Sequence, residues 1–417
     1  MFMFDLDKWG EIFQALTRNK ARSLLTAFGI FWGTFMLVLL MGGSKGLKAM
    51  MQSNFDGFAQ NSYMAYPELT TKAYGGFQVG RQWNFEKKDL KLLRRHLPEA
   101  DVITPLHMQW GQNTEFRDRK MSCTIKGVAP EYADIENPKL SQGRYIQDID
   151  LQNHRKVCVI GKRVAKELFP NGENPLGKFI KIANVYYQVL GVSQLDNKIG
   201  IGGGTSKAIY IPLTTFQRIN NTGDDIGSIA ITMRPGSSVN AVQPIIERLL
   251  KKTHRVHPDD EQALMSFNME AMFQMVQSLF DGINILVWLI GIGTLISGSI
   301  GVSNIMMVVV KERTTEIGIR RAIGAHPSHI LSQILSESAV ITIMAGLSGI
   351  FFAVLVLAGI EFLVATGMAD LETPNFQISF SLAIASAFAL SLLGTAAGIA
   401  PALRALSIKP IDAIRDE

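Results

Sequence analysis

Charge and cysteine are both scarce in this sequence. Asp, Glu, Lys and Arg together make up 18% of the 417 residues, whereas 47% are hydrophobic. The two cysteines, Cys123 and Cys158, do not have the close Cys-pair spacing of a zinc site. The seven histidines show no H-E-x-x-H spacing, and no G-x-S-x-G turn occurs. The sequence therefore indicates neither a zinc protease nor a serine hydrolase of that type.

The bases are not concentrated as in a nucleic-acid-binding protein. The formal net charge is only +5, and Lys and Arg form no stripe with interleaved aromatic residues. This pattern excludes nucleic acid as a favoured partner. The high apolar content favours a lipid bilayer instead.

Four runs without a charged residue are long enough to cross a bilayer, which takes about 20 helical residues. A soluble helix of this length would carry a charged face. We therefore predict four transmembrane helices, with lead-in residues included where the helical pattern continues. Their predicted bounds are 23–44, 269–310, 327–360 and 376–403. A cleaved signal peptide is the alternative for the first run, but the run is too long and lacks a small-x-small cleavage site.

Lys and Arg predict the orientation of these helices. Bases occur in the N-terminal stretch, in the segment 311–326 and in the tail 404–417. The charged residues of the short loop 361–375 are all acidic. By the positive-inside rule, both termini and 311–326 face the cytoplasm. The large segment 45–268 then lies outside a bacterial cytoplasmic membrane, in the periplasm.

The large outer segment has the pattern of an α+β domain. Strand-like, helical and strand-like runs follow one another near its start, and the same order recurs near its end. The middle, about 111–222, contains short β-branched runs separated by Gly, Pro and Asn. We predict a β-α-β base with an inserted β-rich subdomain.

Two helical segments are predicted to adjoin the membrane. An apolar stripe leads into the second membrane helix without a break, so this helix is expected to form a stalk. The stalk residues are Met269, Met272, Phe273, Val276 and Phe280. Residues 1–22 have one apolar face, which predicts an amphipathic helix in the cytoplasmic interface, with a plain soluble turn as the alternative. Its apolar residues are Trp9, Ile12, Phe13 and Leu16.

The run KERTTEIGIRRAIGA, residues 311–325, separates two membrane helices. Glu316 and Arg320 stand four residues apart in the order that stabilises a helix. Gly324 is placed to end that helix, and Pro327 suits the first turn of the next one. This pattern predicts a short cytoplasmic helix that either enforces topology alone or docks on a partner.

Small residues punctuate the membrane runs, and such residues favour close helix packing. They include Gly291, Gly293, Gly298, Gly301, Gly346, Gly349, Gly394 and Gly398.

Cys123 and Cys158 both lie in strand-like parts of the outer segment. An oxidising compartment permits a disulfide between them, and two buried thiols are the alternative.

Several stretches resemble the FtsX-like permeases, the membrane subunits of mechanotransmitting ABC transporters. The most specific are SNIMMVVVKERTTEIGIRRAIGA and the closing PALRALSIKPIDAIRDE. In the outer segment, LSQGRYIQDID and VCVIGKRVAKELFPNGENPLGKFIKI are similar to the periplasmic core domain of the MacB branch. The resemblance covers nearly the whole chain in the right order.

The resemblance implies a homodimeric permease whose short cytoplasmic helix docks on an ABC ATPase. Carried over by position, the contact residues are Glu312, Arg313, Glu316, Ile317, Arg320 and Arg321. It also implies a periplasmic adaptor, an outer-membrane channel and a role in efflux. Lipoprotein release or control of a cell-wall hydrolase is the alternative within the superfamily, and a transmembrane sensor is the alternative outside it.

One departure concerns the ATPase, which the MacB branch joins to its membrane part. The nearest imitation of a phosphate loop is GENPLGKF, Gly172 to Phe179, which has Phe where the Mg²⁺-binding Ser or Thr belongs. We interpret it as a turn and a strand start. We therefore expect that this chain is not an enzyme and binds no cofactor. ATP and Mg²⁺ are expected to bind a separate ATPase subunit.

Overall fold

The computed structural model describes residues 20–53, 55, 57–195, 204–367, 376 and 380–407. The chain divides into two units. We call residues 51–278 the mixed unit and the remainder, 1–50 with 279–417, the helical unit. The predicted interfacial helix, with Trp9, Ile12, Phe13 and Leu16, lies outside the described residues.

Ten α-helices occur in the described part of the chain. In order they are α1 Lys20–Ser53, α2 Lys87–His96, α3 Asp148–Gln152, α4 Lys162–Leu168, α5 Leu213–Asn220, α6 Val239–Thr253, α7 Met269–Glu312, α8 Thr314–Ala322, α9 Pro327–Gly367 and α10 Phe380–Leu406. Among the described residues, four of these helices are long and apolar enough to cross a membrane: α1, α7, α9 and α10. Each extends beyond a predicted span at one end or both, and the predicted domain boundaries remain predictions.

Glycines set the close approach of helices in the helical unit. A Cβ on Gly298 would lie 3.2 Å from the backbone of Gly29, so α1 and α7 meet almost backbone to backbone there. A Cβ on Gly394 of α10 would lie 2.8 Å from the Thr342 side chain of α9. Such contacts let apolar helices pack by close van der Waals contact, which drives helix association in lipid.

The mixed unit is built on one large sheet. Its strands are β1 Ser62–Pro67, β3 Ala100–Phe116, β4 Arg119–Val128, β5 Leu140–Gly143, β6 Val157–Ile160, β7 Phe179–Ile182, β8 Val185–Ser193, β9 Ala208–Pro212, β11 Ser228–Met233 and β12 Leu264–Asn268. The strand order is β12-β1-β11-β3-β4-β9-β6-β8-β5, and β7 pairs with both β3 and β8. The short strands β2 Phe85–Glu86 and β10 Asp225–Ile226 pair with each other.

The predicted strand-helix-strand units occur at both ends of the mixed unit. β1, α2 and β3 form the first, and β11, α6 and β12 form the second. Alternate residues of these strands, such as Tyr63 and Ile231, are buried in one cluster with Leu93 of α2 and Ile246 of α6. The period of two along the strands thus directs one face of the sheet toward both helices.

The predicted β-rich insert continues the sheet of the base and does not form a sheet of its own. β3 extends over 17 residues, pairing with β11 between Ala100 and Leu106 and with β4 between Leu106 and Phe116. Its register shifts between Gln109 and Gln112, where Gly111 has a φ of +70°. A bulge of this kind bends a strand. β3 thus belongs both to the base, where it pairs with β11, and to the insert, where it pairs with β4.

Candidate functional site

The elbow segment, residues 311–337, joins α7 to α9 and contains α8. α7 ends at Glu312 and α8 begins at Thr314, so only Arg313 separates the two helices. Gly324 has a φ of +101°, and its backbone N–H donates to the carbonyl of Arg321 at 3.2 Å. This left-handed conformation favours glycine, and the predicted helix end at Gly324 is confirmed.

One face of α8 packs inward. Ile317 is 9% exposed and belongs to a buried apolar cluster with Val310 of α7 and Ile330 and Ile334 of α9. Gly318 beside it is also buried. The elbow segment is therefore packed against its own long helices and is not a loosely solvated loop.

Ion pairs and a hydrogen bond connect residues of the elbow segment near the inward face of α8. Arg320 Nη2 lies 2.9 Å from Glu316 Oε1, which confirms the predicted pair within α8. Arg320 Nη1 donates to Gln333 Oε1 of α9 at 3.1 Å. Arg313 Nη1 lies 3.1 Å from Glu337 Oε1, also on α9. Gln333 and Glu337 were not predicted from the sequence.

A third contact links α8 to the end of α10. Arg321 Nη1 donates to the backbone carbonyl of Leu406 at 2.8 Å. The last carbonyls of a helix have no partner within that helix. The guanidinium of Arg321 therefore satisfies one of them and fixes α8 to a third long helix.

The opposite face of α8 is apolar yet open to solvent. Ile323 is 83% exposed and Ile319 is 46% exposed, and Ala322 between them is also exposed. Their spacing of three and four residues puts all three on one side of the helix. An isoleucine of this exposure, at the end of a charged segment, presents an apolar surface to whatever contacts α8.

The six predicted contact residues thus differ in position. Ile317 is buried, and Arg313, Arg320 and Arg321 are half-buried with partners inside the chain. Glu312 and Glu316 are exposed. Contact of these residues with an ATPase stays a prediction.

The predicted stalk residues lie at the start of α7. Met269 is buried in the core of the mixed unit, and the Phe273 ring lies 5.2 Å from that of Phe55. Met272 packs against the same cluster, and Val276 is half-buried. Phe280, in the helical unit, is fully buried. That these residues form a stalk stays a prediction.

The two cysteines are free and buried, so the possible disulfide is not formed. Cys123 lies on β4 and Cys158 on β6, with β9 between them. Two strand spacings amount to about 10 Å, beyond the Cα separation of about 7 Å that a disulfide tolerates. Burial raises the pKa of Cys123 to about 11 and also raises the pKa of Cys158.

Gly172 to Phe179 forms turns and then a strand. Gly172 and Gly177 have φ values of +74° and +76°, and β7 begins at Phe179. A phosphate loop would open a helix at this point. The interpretation as a turn and strand start is confirmed. In the part of the chain that is described, no cluster of three His, Cys, Asp or Glu residues is placed to hold a metal ion.

Two protein families match this chain. Residues 23–249 match the MacB-like periplasmic core domain, and residues 288–410 match the FtsX-like permease C-terminal region. Among solved structures, the periplasmic region of MacB from Actinobacillus actinomycetemcomitans is 22% identical, with a TM-score of 0.42. The match covers 54% of this chain and 96% of that one.

Curated relatives match over almost all of the chain. The macrolide export ATP-binding/permease protein MacB of Shewanella sp. (strain W3-18-1) is 28% identical over 417 residues, which is 99% of this chain and 61% of that protein. The protein of the same name from Neisseria gonorrhoeae is 29% identical over 424 residues, or 99% and 62% of the two chains. The chain therefore spans about three fifths of these relatives' length.

Proposed function

The chain belongs to the family of permeases that combine a MacB-like periplasmic core domain with an FtsX-like C-terminal region, and from this premise we propose that it is the membrane subunit of an ABC-type mechanotransmission exporter. ATP-driven movement of an ATPase is passed through the helical unit to the mixed unit. The observation that carries the proposal is the two-faced α8, anchored on one side and apolar on the other.

The exposed face of α8 is the proposed ATPase contact. Ile319, Ala322 and Ile323 form its apolar part, and the exposed acidic residues of this segment are Glu316 of α8 and Glu312 at the end of α7. Burying an isoleucine that is 83% exposed contributes about 1.5–3 kcal/mol to association before the entropy cost. Arg313 and Arg320 bond to side chains of α9, and Arg321 bonds to the end of α10, so the three arginines attach α8 to the long helices.

ATP and Mg²⁺ are proposed to bind a separate ATPase subunit. The curated relatives carry the name ATP-binding/permease protein, so an ATPase belongs to the machinery in which they work. The segment of this chain that is most similar to a phosphate loop, Gly172 to Phe179, ends where a strand begins at Phe179. On this proposal the chain performs no catalysis and converts the ATPase cycle into movement.

Family membership supports the remaining parts of the proposal. We place the chain as a homodimer in a bacterial inner membrane, with both termini and α8 in the cytoplasm and the mixed unit in the periplasm. A periplasmic adaptor and an outer-membrane channel complete the proposed path. The relatives export macrolides by name, and export of a solute captured on the periplasmic side is the proposed task here.

Copurification tests the proposal. The full chain is isolated in mild detergent from its own host, and ATP hydrolysis and copurifying nucleotide-binding protein are measured. Ile323→Glu places a charge in the centre of the proposed contact, and we expect the ATPase to be lost. Ile149→Glu is the matched control, because Ile149 is 48% exposed in the mixed unit. Absence of any ATPase from the native preparation would overturn the proposal.

A further inference from the structure

Glu337 is a charged residue in an apolar setting. It lies on α9, is 4% exposed, and is followed directly by the long apolar part of that helix. Ile334 beside it and Ile317 of α8 belong to one buried cluster. A carboxylate at such a position is costly unless cationic and hydrogen-bonding partners compensate for the lost water. The partners of Glu337 therefore indicate what the residue does.

The first partner of Glu337 is Arg313. Arg313 Nη1 lies 3.1 Å from Oε1 and 3.5 Å from Oε2 of the Glu337 carboxylate, and the Arg313 side chain is 25% exposed. Arg313 is also the single residue between α7 and α8. The pair thus fixes the break between these two helices to a point on α9, ten residues after α9 begins.

The second partner extends the linkage to α8. Gln333 Nε2 lies 3.5 Å from Glu337 Oε1, and Gln333 Oε1 accepts a hydrogen bond from Arg320 at 3.1 Å. Arg320 in turn pairs with Glu316, whose other oxygen lies 3.5 Å from Arg313 Nε. The contacts close a ring of five side chains, two from α9, two from α8 and one from the break.

The ring does not enclose a ligand site. The cavity that its side chains line together with Ile317 and Ile330 has a volume of about 20 Å³. That volume holds about one water molecule, which excludes even a small solute. The ring is therefore better suited to fixing helices than to binding.

Its position gives the ring a mechanical consequence. α8 has nine residues and is joined to α7 through Arg313, so the ring, together with the contacts of Ile317 and Arg321, resists rotation of α8 about that residue. With Arg313 held by Glu337 and Arg320 held by Gln333, α8 is fixed to α9 at both ends of its inner face. A force applied to the outer face of α8 then moves α7 and α9 together and does not merely turn α8.

We propose that Glu337 and Gln333 are positioning residues that lock α8 to the long helices and so make the movement of a bound ATPase reach the rest of the chain. This inference rests on the proposed function for its second half. The locking itself concerns this chain alone and can be measured without a partner.

Hydrogen exchange of the full chain in nanodiscs measures the locking. Glu337→Gln keeps the shape of the side chain and removes its charge, and we expect the amides of α8 to exchange about tenfold faster or more. Arg313→Gln should do the same, and the double variant should be no worse than Arg313→Gln alone, because both substitutions break the Arg313–Glu337 pair and Arg313→Gln also removes the contact with Glu316. Arg313→Lys should restore part of the protection.

Lys311→Gln is the matched control, since Lys311 is an exposed base two residues from Arg313. We expect exchange in α8 to stay as in the native chain. The locking is overturned if Glu337→Gln and Arg313→Gln leave α8 unchanged, if their effects simply add, or if Lys311→Gln acts equally. Should Glu337→Gln fail to fold, Arg313→Gln and Gln333→Leu decide the point, because both positions are half-buried.

A second measurement separates locking from contact. In the complex with the copurified ATPase, Glu337→Gln should retain ATPase binding and ATP hydrolysis but lose the ATP-induced change in exchange of the mixed-unit strands. A role limited to stability would lower binding and hydrolysis as well, and that result would overturn the transmission role. If the native chain binds no ATPase, the proposed function fails, whereas the exchange of α8 still decides the locking.

Discussion

Lys126 and Glu136 form an ion pair in the core of the mixed unit, with neither side chain exposed. Lys126 Nζ lies 2.9 and 2.7 Å from the two carboxylate oxygens of Glu136. The hydroxyls of Tyr132 and Tyr210 donate to the same carboxylate at 2.7 and 3.1 Å. Burial and the nearby carboxylate raise the pKa of both tyrosines, so they remain protonated donors.

Lys126→Met should destabilise the mixed unit strongly. The substitution leaves the Glu136 charge buried without a cation, which costs about 3–5 kcal/mol. Hydrogen exchange of the β4 amides in the full chain measures this loss. Arg163→Gln is the control, because the Arg163–Glu167 pair is exposed and such pairs contribute at most about 1 kcal/mol. Equal effects of the two variants would contradict the account of the buried pair.

Gly349→Ala should weaken the packing of α1 on α9. A Cβ at Gly349 would overlap Thr34 Oγ1 and lie 2.6 Å from the carbonyl oxygen of Phe31, so the helices must separate. Overpacking of this kind costs about 1–3 kcal/mol. A Cβ at Gly293 meets nothing within 4 Å, so Gly293→Ala should be neutral or stabilising. Unfolding of the full chain by titration with SDS in mixed micelles compares the two.

Both cysteines should be unreactive in the folded chain. Burial raises the pKa of Cys123 to about 11 and also raises that of Cys158, and a thiol reacts only as the thiolate. We expect maleimide to label neither cysteine at pH 7.5 and to label both in denaturant without prior reduction. Labelling that requires a reductant would instead indicate a disulfide.

The mixed unit should lose stability as the pH falls below about 6.5. Burial lowers the pKa of His107 from its ordinary value of 6.5, although its ring donates to the carbonyl of Asp225 at 2.7 Å. The folded chain then binds a proton less readily than the unfolded chain, so the stabilisation is complete above pH 6.5 and declines below it.

Thermal unfolding of the full chain between pH 7.5 and 5 measures this dependence on pH. His107→Gln should flatten the curve, whereas His96→Gln, at an exposed position, should leave its slope unchanged. A slope that is the same in His107→Gln and the native chain would exclude His107 as its cause.

Several features of the helical unit could be predicted from the sequence because they depend on local pattern. Gly324 and the Glu316–Arg320 pair follow from helix-end and i,i+4 rules. Six of the eight predicted glycines do meet a neighbouring helix, whereas Gly293 and Gly301 have nothing within 4 Å of a Cβ. Which face of a membrane helix meets a neighbour depends on tertiary packing, and a run of glycines does not reveal it.

Glu337 was missed for a different reason. The predicted span 327–360 includes Glu337 only as a lead-in residue, because a search for charge-free runs assigns no role to a charged residue just before such a run. The spacing of Gln333 and Glu337, four residues apart just before the run, was an available signal. Its partner Arg313 lies 24 residues away, and such pairs depend on how the helices fold back.

The sequence pattern also did not predict that the strands of the mixed unit form one continuous sheet. Short β-branched runs predict strands at about the right places, but the pairing of β4 with β9 joins residues that lie over 80 positions apart, such as Thr124 with Ala208. Strand order of this kind is set by the fold as a whole. Local alternation predicts only which residues of a strand share a face.

The central claim is that ATP moves the outer part of this chain through α8. Asp118 is exposed at the turn between β3 and β4, and Asp118→Cys accepts a spin label there because the two native thiols are buried. Pulsed EPR then measures the distance between the labels on the two copies of the proposed homodimer, in the complex with the copurified ATPase. We predict one distance without nucleotide, a different one with ATP and vanadate, and no change in the Ile323→Glu variant. An identical distance with and without ATP, in a complex that hydrolyses ATP, would contradict the account.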